Sequence, residues 1–143
     1  MAEGRILALD VGDHHIGIAI TDELEISVYP VKVLVRDGDE INEICSLITE
    51  KGVKKIIVGL PKNLKGEIGP QAQKVLQFAE VLKEHIEGLE LIFWDERLTS
   101  VIAHRIFKSE NVNSRKERKI KDSLEAVLIL ESYLDSECFK EGQ

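Results

Sequence analysis

The sequence predicts an α/β fold, a mixed five-stranded sheet of order 3-2-1-4-5 with helices on both faces. Three observations carry that expectation. Residues 5–11 and 15–21 are apolar, strand-like runs separated only by Gly12-Asp13-His14, a link so short that it joins antiparallel neighbours. After the third strand candidate, helical and β-branched patterns alternate along the chain. The right-handed crossover rule then lays the later strands parallel to the first, on its free side, so the first strand becomes the central one.

The third strand is expected at about 25–35, after the brief polar link Asp22-Glu23, and Pro30 inside it suits an edge strand or a bulge. Ile41, Ile44, Cys45, Leu47 and Ile48 then recur at helical spacing, up to Lys51-Gly52, where glycine is the expected stop. A short β-branched strand follows at 54–59 and a loop at 60–69. Pro70 stands at the first turn of a helix whose apolar stripe is Ala72, Val75, Leu76, Ala79, Leu82 and Ile86. Residues 89–94 supply the last strand, and helices are predicted at about 99–108 and 119–136. No repeat, low-complexity tract or linker interrupts the pattern, so residues 1–143 read as a single domain.

Composition narrows the class of protein. With 43% hydrophobic and 31% charged residues over 143 positions, the chain can build a core without disulfide or metal staples. It shows neither a signal-peptide pattern nor an apolar run long enough for a bilayer, so no membrane association and a cytoplasmic location are expected. Cys45 and Cys138 lack CxxC spacing and lie in helical patterns, as ordinary buried or half-buried thiols do. A formal net charge of -7 argues against a general nucleic-acid coating protein, which needs a positive field, but leaves room for an enzyme with one local basic patch.

Carboxylates in apolar surroundings carry the functional signal. Asp10 continues the apolar run Ile6-Leu7-Ala8-Leu9, where an unpaired buried acid would cost several kcal/mol or more. On the neighbouring strand Gly17, Ala19 and Thr21 leave one face nearly bare, making room for something other than side chain. Asp95 and Glu96 end the last strand, before a helix with Thr99 as its cap, where ligands gather in open sheets, although Asp95-Glu96-Arg97 reads equally as a solvated strand end with a surface ion pair. Asp122 heads the stripe Ala126, Ile129, Leu130 and Tyr133 of the last helix, although a helix-dipole contribution or pairing with Lys119 and Lys121 also accounts for an acid there. Acids brought together from such distant segments repel unless a cation joins them. Oxygen-only ligation suits Mg²⁺ or Mn²⁺, and two such ions about 4 Å apart support phosphodiester hydrolysis.

The stretches ALDVGDHHIGIAITD, VGLPKNLKGEIGPQA, DERLTS and KDSLEAVLILESYLD, in this order, resemble the YqgF/RuvX family across nearly the whole chain. The resemblance implies a ribonuclease H-like fold, kinship with RuvC-type Holliday junction resolvases and a nuclease that matures the 5′ end of the 16S rRNA precursor. It implies Asp10, Glu96 and Asp122 as the catalytic acids, with Asp95 as the neighbour in the same motif. Structured RNA is the implied partner, with branched DNA as the alternative. One departure concerns the first turn. Asp13-His14-His15 stands where the family more often has a small polar residue followed by basic ones. With the last strand two places from the first, Asp10 and Glu96 start about 10 Å apart, so a long side chain or a bent strand end must close that gap.

Arg105, Lys108, Arg115, Lys116, Arg118, Lys119 and Lys121 concentrate positive charge around the loop expected to lead into Asp122, suited to tracking a phosphate backbone, although Glu110 and Glu117 dilute it and a solvated loop is the alternative. Lys62, Asn63 and Lys65 in GLPKNLKGEIG, which is not a Walker sequence, offer a second, weaker phosphate contact or belong to an ordinary strand-to-helix turn, and Arg97 pairs with either a phosphate or a neighbouring acid. Gly12, Gly17, Gly59, Pro61 and Thr99 are expected to serve turns, close approaches and the helix cap. His14, His15, His85 and His104 read as single surface or packing groups, and Trp94 as core. Leu124 and Leu128 fall outside the main stripe, which leaves a homodimer open. An actin-like ATPase lobe is disfavoured because the chain holds a single Asp-x-Gly hairpin, and a non-catalytic adaptor on the same fold is the remaining competitor.

Overall fold

The computed structural model describes residues 4–62, 65–95 and 115–141, with side chains of the last helix described over 124–137. Strands β1 (Arg5–Val11), β2 (His15–Thr21), β3 (Val28–Val35), β4 (Val53–Leu60) and β5 (Glu90–Asp95) form one sheet in the order β3-β2-β1-β4-β5. The β1–β2 and β2–β3 pairs are antiparallel, and β1–β4 and β4–β5 are parallel. Among the described residues the helices are α1 (Glu40–Lys51), α2 (Pro70–Lys83) and α3 (Arg115–Glu141). The predicted topology is therefore the observed one. The helix expected at 99–108 lies outside the described residues.

Two onsets, those of β3 and α3, differ from the sequence reading by three residues or more. β3 begins at Val28 rather than near Glu25, because Asp22 closes a turn on the intervening residues. Its Oδ1 accepts the Ile26 N–H at 2.8 Å, its own N–H donates to the Ser27 carbonyl at 3.1 Å, and Glu25 sits at φ 59. Backbone groups engaged in a turn cannot also join a ladder. Further along, the β2–β3 register slips from Ile18↔Lys32 to Ala19↔Pro30, so Val31 is the extra residue of a bulge. Pro30 has no N–H for the ladder, and it lies next to the bulge on an edge strand, where that loss is tolerated. α3 starts at Arg115, earlier than expected, so the basic segment read as a loop is helical from there.

The sheet separates two cores. Leu7, Leu9, Ile16, Ile18, Ile56 and Val58 point to one face and pack with Ile44 and Leu47 of α1 and with Val75, Phe78 and Leu82 of α2. The opposite residues, Ile6, Ala8, Ala19 and Ile57, pack with Ala126, Ile129, Leu130 and Tyr133 of α3. Ile129 and Leu130 are fully buried, and burial of each contributes roughly 1.5–3 kcal/mol, well above what exposed charge pairs on α3 supply. The apolar stripe therefore docks this helix.

Docking of α3 also revises one expectation. The small residues of β2 do not leave a general vacancy on that face, because α3 packs against Ala19, and the Thr21 hydroxyl accepts the Ile6 N–H at 3.0 Å. Gly17 is left as the small residue level with Asp10. The direction of α3 follows from its neighbours. Glu131, Leu134 and Asp135 border a depression with Val28, which pairs with Thr21 near the start of β1, while Ala126 and Ile129 join the cluster of Ile6 and Ala8. The amino-terminal half of α3 is therefore directed toward the carboxyl end of β1.

Candidate active site

Asp10 is the second-last residue of the central strand and shares the α3-facing side with Ile6 and Ala8. On one side its register partner is Gly17. On the other, the β1–β4 ladder runs to Leu9↔Val58, so the next position of β4, Gly59, is level with it. Neither of these two strand neighbours carries a Cβ, so neither adds side-chain bulk beside the half-buried carboxylate. It opens into a depression of about 290 Å³ lined by Asp10, Gly12, Asp13, His14 and His15.

The turn that forms this depression is tightly defined. Gly12 N–H donates to the His15 carbonyl at 2.8 Å, and a Cβ at Gly12 would stand 2.9 Å from that oxygen, which is why glycine is required there. Its own carbonyl accepts a hydrogen bond from Arg36 Nη1 at 3.0 Å, and the His14 carbonyl accepts one from the Arg36 backbone N–H at 2.9 Å. Arg36 is in turn paired with Glu40 at 3.1 Å. Glu40 is buried, and its carboxyl is held below the usual glutamate range, chiefly by its own backbone N–H at the start of α1. Burial opposes that effect, while the Arg36 side chain and the Gly38 N–H reinforce it. Sequence reading passed over Arg36 and Glu40 because nothing in the polar stretch RDGDE marks a long-range contact. It also treated His14 and His15 as independent surface groups, yet both border the depression of Asp10.

The other expected site residues are distributed as follows. Asp95 ends β5 opposite Leu60 and, by strand alternation, shares its side with Leu91 and Phe93, the face covered by α1 and α2. It therefore points away from the side that Asp10 occupies. Glu96, Arg97 and Thr99 lie outside the described residues, as does Asn63. Asp122 is on the α3 backbone, one turn before Ala126, with its side chain outside the described set, and the same holds for Arg115, Lys116, Arg118 and Lys119 in the first turns. Pro61 and Lys62 directly follow β4, both half-buried, with the Lys62 N–H bonded to the Leu60 carbonyl at 3.0 Å, and Lys65 is exposed. Among the described residues, no three His, Cys, Asp or Glu groups gather as a metal cluster.

Packing groups surround this end of the sheet. Trp94, level with Gly59, donates its indole N–H to Ser132 Oγ at 3.1 Å and meets Tyr133 edge to face at 5.5 Å; it is half-buried and packs against the edge of the α3-side core with a polar tie to that helix, where a core position was expected. Cys45 is half-buried, and burial pushes its thiol pKa up, which fits an unreactive packing group. The side chain of Cys138 is outside the described set. No described helix is long and apolar enough to cross a membrane.

Comparison with known families places this arrangement. The model of the family described as "RuvX: Holliday junction resolvase" matches residues 4–136. The chain belongs to the RuvX family. A relative from Clostridioides difficile, named "Putative pre-16S rRNA nuclease", is 44% identical over 137 residues, covering 94% of this chain and 96% of its own. Another of the same name, from Clostridium tetani, is 46% identical over 134 residues, covering 92% and 96%. Among solved structures, the fowlpox virus Holliday junction resolvase superposes with a TM-score of 0.56 at 14% identity, covering 92% of this chain and 98% of its own. T. thermophilus RuvC, solved in complex with Holliday junction substrate, gives 0.56 at 10% identity, covering 93% and 94%. At such identities these two share the fold with this RuvX-family chain and nothing finer. The ribonuclease H-like architecture expected from the motifs is the one these neighbours have.

Proposed function

We propose that this chain is a nuclease that hydrolyses phosphodiester bonds in structured RNA, at the 5′ end of the 16S rRNA precursor, with Asp10, Glu96 and Asp122 as its catalytic acids. The observation that carries this reading is the placement of Asp10. A half-buried carboxylate ends the central strand between two glycines, at the end of the sheet toward which the helix bearing Asp122 is directed. An acid in that position suits an oxygen ligand for Mg²⁺ or Mn²⁺, and Gly17 and Gly59 beside it add no side chain to compete with such an ion. When bound, the cation supplies Lewis acidity and a water of lowered pKa. Placement of Asp95 on the other face supports Glu96, rather than Asp95, as the acid contributed from the end of β5.

Basic residues give the reading its substrate side. Because 115–122 is helical, Arg115, Arg118, Lys119 and Asp122 fall at i, i+3, i+4 and i+7, so phosphate-attracting positions share a helix stripe with a catalytic acid. Two relatives that cover nearly the full length at over 40% identity and bear the pre-16S rRNA nuclease name support RNA as the substrate. The family description favours a second reading, cleavage of branched DNA. Incubation of the purified chain with a 5′-extended 16S precursor RNA and with a four-way DNA junction, each with Mg²⁺, Mn²⁺ or chelator, separates the two. Metal-dependent cleavage of the RNA, absent from Asp10→Asn, is the expected result. Junction cleavage alone would move the substrate to DNA, and binding without cleavage of either would leave the adaptor reading.

A further inference from the structure

We propose that Arg36 is a positioning residue for the candidate site, holding the β1–β2 turn from the face opposite Asp10 and so setting where that acid stands. The proposal rests on the reading of Asp10 as a metal ligand. It starts from the number of contacts one guanidinium makes. Nη1 donates to the Gly12 carbonyl at 3.0 Å, Nε donates to Glu40 Oε2 at 3.1 Å, and the guanidinium carbon lies 5.2 Å from the centre of the Phe78 ring. The same residue's backbone N–H reaches the His14 carbonyl at 2.9 Å. Arg36 thus grips both ends of the Gly12-Asp13-His14 turn, one through its side chain and one through its backbone.

Glu40 is committed as fully as Arg36. Its Oε1 accepts the Gly38 N–H at 2.8 Å while Oε2 takes Arg36, so both oxygens are engaged and the carboxylate fixes the fork that reaches Gly12. Phe78 belongs to the α1–α2 core, which anchors the assembly to the rigid side of the sheet. From there the path is short, because Gly12 is two residues from Asp10 and lines the same depression.

Magnitudes separate positioning from mere support. The Arg36 side chain is 28% exposed and that of Glu40 10%, so solvent screens the pair in part and its share of global stability is modest. A displacement of a reacting group by about 1 Å, by contrast, lowers rate on the order of 10²-fold. Arg36 suits the second task. Its planar, multi-donor group satisfies carboxylate, carbonyl and ring at once, whereas a lysine ammonium offers one point charge and no stacking plane.

Arg36→Gln and Arg36→Lys in the full chain test this, with Glu40→Gln as the milder variant should Arg36→Gln fail to fold. Three readouts are needed: amide hydrogen exchange at Gly12 and at core Leu9, Mn²⁺ affinity by titration, and the split between kcat and KM on RNA. In Arg36→Gln, Gly12 exchange is expected to speed up at least about 10-fold with Leu9 unchanged, because loosening is local. Mn²⁺ affinity falls about 10-fold and kcat falls more than KM rises. Arg36→Lys does not rescue, and Glu40→Gln gives the same pattern at smaller size. Unchanged Gly12 exchange, or a loosened turn with Mn²⁺ affinity and kcat intact, overturns the proposal. If the unaltered chain binds no Mn²⁺, the metal reading fails on its own, and Gly12 exchange still decides whether Arg36 holds the turn.

Discussion

The indole N–H of Trp94 donates to the hydroxyl of Ser132 at 3.1 Å, a direct tie between the last strand and α3. Trp94 is the single tryptophan of the chain and is level with Gly59, beside the row that holds Asp10. Its fluorescence therefore reports on how the helix sits against the sheet at this end. Ser132→Ala leaves the indole N–H without its partner, and a loss of about 0.5–1.5 kcal/mol is expected for a neutral hydrogen bond of this kind. Urea denaturation followed by Trp94 emission measures it. A midpoint identical to that of the parent would show that water replaces the hydroxyl without cost.

Asp10→Asn is expected to separate activity from folding. The carboxylate is half-buried between Gly17 and Gly59, and the amide is nearly isosteric, so stability should change by no more than about 1 kcal/mol. If Asp10 is a metal ligand, as proposed, loss of the charged oxygen costs the transition state several kcal/mol of cation stabilisation, on the order of 10²-fold or more in rate. Cleavage of a precursor RNA and thermal unfolding, measured on the same preparation, check both halves. Retained cleavage would remove Asp10 from the site.

Gly12→Ala tests the turn from the other side. The new methyl would stand 2.9 Å from the His15 carbonyl oxygen, a backbone atom that cannot swing aside as a side-chain end does. Relief requires the turn to open, with a loss of about 1–3 kcal/mol as for other overpacked sites. Thermal unfolding should show that loss, and weaker Mn²⁺ binding should accompany it. An unchanged melting temperature would mean that the turn has slack which the hydrogen bonds conceal.

How far the sequence could be read depended on the range of the interaction. β1 and β2 were legible to the residue because their apolar runs are bounded by a turn that allows a single connection. Pro30 was legible as an edge or bulge signal because its missing N–H acts locally. The onset of β3 was not, since it depends on Asp22 Oδ1 capturing backbone groups four and five residues ahead. Asp10 stood out because a carboxylate in an apolar strand violates a one-dimensional pattern. Arg36 violates none, and its contact with Gly12 spans 24 positions. The emptiness read into Ala19 and Thr21 failed for a related reason: a small residue reports equally on a ligand pocket and on the close approach of a helix, and only tertiary packing chooses.

Salt dependence tests the basic positions at the start of α3. Arg115 and Lys116 are proposed to neutralise phosphates, and each such contact contributes about 0.7 to 0.9 to the slope of log affinity against log salt. Replacing both by Gln should flatten the slope by roughly 1.4 to 1.8 for RNA binding, with little effect on folding. Filter binding between low and moderate salt, with Asp10, the proposed catalytic acid, changed to Asn, measures the slope. An unchanged slope would take these two residues off the substrate path.

Acid sensitivity should trace in part to Glu40. Its folded pKa lies below the ordinary value of 4.5, first because of its own backbone N–H and then, against the opposing effect of burial, because of Arg36 and the Gly38 N–H. A carboxyl with a depressed folded pKa stabilises the native state when the pH is above its unfolded value, and the contribution is lost as the pH falls through the folded value. The unfolded chain then binds the proton more readily than the folded one, so stability declines with acid below about pH 4.5. Glu40→Gln removes that titration. Its deficit relative to the parent should be largest near neutrality and should shrink toward about pH 3, as the parent loses what the variant never had. Urea midpoints at a series of pH values check the sign. A deficit that stays constant across the range would mean that the charge of Glu40 is not what holds Arg36, and that the hydrogen-bond geometry alone fixes the turn beside Asp10.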